Sequence, residues 1–148
     1  MRVGAQEIAE KLLLLAAHLA LGVFLSGVLG LLLYVVMLPI VQSIWSIAEI
    51  NFALMGVLTI GFGSGVGCFL GWFSRDLSRP ALLIILLLTL AVTLLAAWGG
   101  LHNSRDVFKH VGKPGIPALT GIVVGAILGG NALNMALWIV RTARNPRL

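Results

Sequence analysis

GFGSGVGCFLG, residues 61–71, decides how this chain is read. Glycine recurs there at 61, 63, 65, 67 and 71, a density that in water would mark a loop. The flanks change the solvent: NFALMGVLTI precedes the stretch, WFS follows it, and no charged residue falls between Glu49 and Arg75. In hydrocarbon a backbone must satisfy its own hydrogen bonds, so such a segment crosses as a helix. Wound as a helix, Gly63, Gly67 and Gly71 stack at four-residue intervals with Ser64 and Cys68 beside them, a surface that lets another helix approach closely.

The rest of the chain agrees with a bilayer as solvent. Of 148 residues 59% are hydrophobic and 10% charged, with mean hydropathy +1.07, against roughly 25% charged in a soluble domain. The length suits one membrane domain, residues 1–148, of all-α class. The net charge of +5 sits at segment ends rather than along one face, which excludes a nucleic-acid groove and points to orientation in the membrane. A lone cysteine, Cys68, excludes an internal disulfide. MRVGAQEIAEK mixes both charge signs and the apolar run after it lacks an A-x-A pattern, so a cleaved signal peptide is not expected.

Four spans are expected, at about 12–38, 51–73, 81–100 and 116–140. Between the first two, Pro39 opens PIVQSIWSIAE, whose apolar residues share one helical face. This predicts a short interfacial helix over 39–49, anchored by Trp45. Residues 101–115 are read as an outer polar loop. With four spans, Arg2, Lys11, Arg75, Arg79, Arg141, Arg144 and Arg147 lie on one side and Arg105, Lys109 and Lys113 on the other. That imbalance puts both termini in the cytoplasm of a membrane of bacterial inner type. The two hairpins also echo one another, with glycines at 63, 67 and 71 answered by 121, 125 and 129, and with Trp and Arg following each row; this fits either a duplicated hairpin or the common grammar of a helix end.

Candidate packing residues are Gly22, Ser26 and Gly30 on span one, Gly63, Gly67 and Gly71 on span two, and Gly121, Gly125 and Gly129 on span four. Small residues cover about half of span two, more than one neighbour needs. Span three shows few apart from Ala91, Ala96 and Ala97 and is read as lipid-facing. More close-packing surface than takers points to a homo-oligomer or a larger membrane complex, with the lipid bilayer as the other partner.

Chemistry is sparse. Catalytic and nucleotide-loop motifs are missing, and no carboxylate lies within a span, which counts against an enzyme and against ion-coupled transport. His102, Asp106 and His110 are spaced four apart, but two histidines eight residues apart on a helix stand about 12 Å from each other, so an amphipathic surface segment is expected rather than a metal site. His18, the single histidine within a span, cannot alone ligate haem as a bis-histidine pair, and no cofactor is expected. Counting inward from the basic residues places His18, Cys68 and Asn134 at one depth, with Thr89 and Asn131 slightly deeper. These five form a candidate polar layer in which Asn134 is the expected partner of His18. The sequence thus favours a non-enzymatic accessory or scaffold subunit, with a small channel or transporter built around the polar layer as the alternative.

Overall fold

In a computed structural model the chain is described over residues 4–45, 51–73, 77–107 and 116–144. Four α-helices account for almost all of this: α1 (Ala5–Ile44), α2 (Phe52–Gly71), α3 (Arg79–Val107) and α4 (Ile116–Arg144). Each is long and apolar enough to cross a membrane. Leucine, isoleucine, valine and alanine make up most of α1, α3 and α4, whereas α2 carries six glycines among its 20 residues. Once the backbone is shielded from water, the weak helix propensity of the β-branched residues and glycines matters less than internal pairing of every N–H and C=O.

Two boundaries differ from the sequence reading. Pro39 does not start a separate interfacial helix: it lies inside α1, which continues to Ile44. Proline lacks the N–H that would bond the carbonyl four residues back, but a single missing bond near the end of a 40-residue helix is tolerated, as in other membrane helices. Residues 46–50 of the expected segment lie outside the described residues. Likewise α3 does not stop near residue 100 but runs to Val107, so 101–107 of the expected outer loop is helical; 108–115 lies outside the described residues. The start of α2 is set by Asn51, whose side-chain oxygen accepts from the Leu54 N–H at 3.0 Å and occupies one of the helix's free donors.

The helices run alternately up and down. α2 and α4 each pack on all three other helices, whereas α1 and α3 flank them and barely meet. α2 is therefore the central helix: 56% of its most apolar window is buried, against 17% for α1 and for α3. Large apolar side chains on α1 and α3, among them Leu13, Val35, Leu83, Leu87 and Leu95, point outward, while Ser26, Ser64, Thr89, Thr93, Ser104, Asn131 and Asn134 are buried. That inversion of the soluble pattern is what a lipid solvent selects, since leucine gains nothing by leaving hydrocarbon and an unpaired amide loses heavily by facing it. A compact apolar core of Val57, Ile60, Ala97, Ile122 and Ala126 fills the other half of the bundle.

Candidate functional site

The small residues and the buried polar groups sort into two hairpins and a junction between them. In the α1–α2 hairpin Gly22 faces Gly71, Ser26 faces Gly67, and Gly30 faces Gly63, each step of four along α1 matched by a step of four back along α2. The approach is close: a Cβ on Gly71 would lie 2.5 Å from the Gly22 Cα, and one on Gly67 2.6 Å from the Ser26 Cα. Ser64 sits on the same seam and donates its hydroxyl proton to the Ser26 carbonyl at 3.0 Å.

The α3–α4 hairpin repeats the arrangement. Gly121, Gly125 and Gly129 face Ser104, Gly100 and Ala96 across an antiparallel seam. The sequence reading missed this partner row and assigned α3 to lipid. Ala96, Gly100 and Ser104 are spaced four apart and so were visible in principle, but the row crosses residue 101, where the helix was taken to end. The breadth of small surface on α2 is also explained within one chain: Gly63, Gly67 and Gly71 meet α1, Gly61 and Gly65 meet Leu94 and Thr93 of α3, and Cys68 meets Gly130 of α4.

Asn131 on α4 joins the hairpins. Its amide oxygen accepts from the indole Nε1 of Trp72 at 2.9 Å, and its Nδ2 donates to Cys68 Sγ at 3.2 Å and to its own-helix carbonyl of Ile127 at 2.8 Å. All three side chains are almost wholly buried, Cys68 at 0%, Asn131 at 4% and Trp72 at 4% exposure. One turn along, Asn134 faces α3 instead: its Nδ2 donates to Thr89 Oγ1 at 3.1 Å and to the Gly130 carbonyl at 2.9 Å. Among the described residues no buried side-chain nitrogen or oxygen lacks a partner.

The five expected layer residues therefore divide into two pairs and an outlier. Cys68 meets Asn131, and Thr89 meets Asn134. His18 does not reach Asn134. Its Nδ1 is 2.8 Å from the Leu14 carbonyl, which can only accept, so Nδ1 carries the proton, and the ring stacks on Trp72 with centroids 5.7 Å apart. The depth count failed because the basic residues do not mark one level on the different helices. The α2 helix stops at Gly71 while α4 runs on to Arg144, so Cys68, about one turn from the end of α2, meets Asn131, more than three turns from the end of α4. Trp72 is the residue sequence reasoning undervalued; it was read as an interfacial landmark. The usable signal was its spacing of four from Cys68 together with the need of any buried indole N–H for an acceptor.

At the opposite end His102 is half of a local pair: its Nδ1 lies 3.0 Å from the Trp98 carbonyl and its ring 4.8 Å from that of Trp98. Asp106 has no described side chain and His110 lies outside the described residues. Among the described residues no three His, Cys, Asp or Glu side chains gather as a metal would require. The architecture defines a polytopic four-helix membrane protein made of two antiparallel hairpins. The chain matches no family model, and neither a characterised protein nor a solved structure is detectably similar to it.

Proposed function

We propose that this chain is a non-enzymatic accessory or scaffold subunit of a bacterial inner membrane, with both termini in the cytoplasm, held together by two glycine-lined seams. The observation that carries the reading is the closure of the polar layer. Asn131, Asn134, Cys68, Thr89 and Trp72 are buried and directed at one another. Amides used this way set helix register, because an alternative packing would strand them in hydrocarbon. A conduit would instead need polar groups turned toward a shared water-filled path.

The partner, a second copy or a larger membrane protein, docks on the outer surface, since the internal small-residue rows are occupied. Ala132 and Ala136, one turn apart on α4, remain exposed and offer a close-packing row there. The experiment is purification of the intact chain from its native membrane in mild detergent, with mass spectrometry of what copurifies and a solute-leak assay in liposomes. A stoichiometric membrane partner or a defined homo-oligomer is expected. A monomer that conducts a solute, with conduction lost on His18→Ala, would overturn the reading in favour of transport.

A further inference from the structure

The end of the bundle where α1 stops and α2 begins holds a recess of about 260 Å³ between Ala53 on α2 and Trp98, Leu101 and His102 on α3. Trp98 and His102 pack ring against ring along the α3 wall of the recess, their centroids 4.8 Å apart and their planes at 49°. Because His102 Nδ1 donates to the Trp98 carbonyl at 3.0 Å, the proton of the neutral ring is committed there, and Nε2 presents a bare lone pair. The recess thus offers an acceptor and an electron-rich indole, carried by two exposed residues toward the end of a helix long and apolar enough to span a membrane.

We propose that this recess takes the primary ammonium of an aminophospholipid headgroup. An ammonium N–H donates to His102 Nε2 while the charge lies against the Trp98 indole, and Ala53 and Leu101 pack on the carbons of the headgroup. A trimethylammonium headgroup is the discriminating comparison: it retains the charge and the attraction to the indole but has no N–H to give. The bilayer, rather than bulk solution, supplies the occupant, because the acyl chains hold the headgroup at the depth of the recess and raise its effective concentration.

The test is native mass spectrometry of the full chain in nanodiscs containing equal phosphatidylethanolamine and phosphatidylcholine of identical acyl chains. Retained phosphatidylethanolamine should exceed phosphatidylcholine by about threefold, the size expected of one exposed hydrogen bond that phosphatidylcholine cannot make. His102→Leu should bring the ratio to bulk, whereas Trp98→Leu should lower the retention of both lipids, each variant eluting as the unaltered chain does, since both side chains are exposed. A wild-type ratio equal to bulk, or an unchanged ratio in His102→Leu, would overturn the proposal. Displacement of the retained lipid by free phosphoethanolamine at matched concentration would overturn the assignment to a membrane lipid.

Discussion

Replacing Asn131 by alanine should loosen the junction between the hairpins more than any other single polar substitution in the bundle. Among the described residues, Asn131 makes the side-chain hydrogen bonds that join α4 to the α1–α2 hairpin, to Trp72 at 2.9 Å and to Cys68 at 3.2 Å. Its loss strands the Trp72 indole N–H, which is 4% exposed. A buried donor left without its partner costs about 1–3 kcal/mol, while interhelical hydrogen bonds in membrane proteins average about 0.6 and reach about 1.7 kcal/mol in double-mutant cycles. Asn131→Ala is therefore expected to destabilise by about 1–3 kcal/mol, and Trp72→Phe, which strands the amide oxygen instead, by a similar amount. The combined variant leaves neither group unpaired, so its destabilisation should fall short of the sum of the two by about 0.6–1.7 kcal/mol. Reversible unfolding in mixed micelles, followed by circular dichroism across the four chains of the cycle, measures this directly. Simple additivity, with no coupling beyond error, would show that the 2.9 Å contact contributes nothing to holding the hairpins together and would remove the register argument.

Three further outcomes follow from the same geometry. Gly67→Leu should abolish or severely weaken folding, because even a Cβ there would press on the backbone of Leu25 and Ser26, whereas Leu87→Ala, at a side chain 57% exposed on α3, should change stability by less than about 0.5 kcal/mol; detergent thermal melts of both variants decide it. Asn134→Ala should lower stability by about 1 kcal/mol through loss of the Thr89 bond yet leave α1–α2 intact, so a disulfide engineered across that hairpin should still form at the wild-type rate. Cysteine placed at Ser43, exposed at the end of α1, should label from the periplasmic side and reporter fusions at residue 148 should read cytoplasmic; the opposite pattern for both would invert the orientation.

The sequence alone determined the solvent and, with it, the class. Long uncharged runs leave a helix as the one form in which residues 51–73 can cross hydrocarbon, and glycines four apart mark which side of that helix comes close to a neighbour. The pairing of Gly22, Ser26 and Gly30 with Gly71, Gly67 and Gly63 was within reach for the same reason: two small rows on consecutive helices joined by a short link meet antiparallel. Helix ends were less legible. Pro39 and the polar residues after Gly100 look like stops in a one-dimensional reading, but a single missing N–H does not end α1, and Gly100 and Ser104 pack against Gly121 of α4 as α3 runs past them. Who meets whom in the polar layer was decided by tertiary structure alone. Asn131 and Asn134 are three residues apart and chemically identical, so nothing local distinguishes them. The placement of α4 between α2 and α3 gives the first to Trp72 and Cys68 and the second to Thr89, and leaves His18 stacked on Trp72 with its ring proton on its own helix.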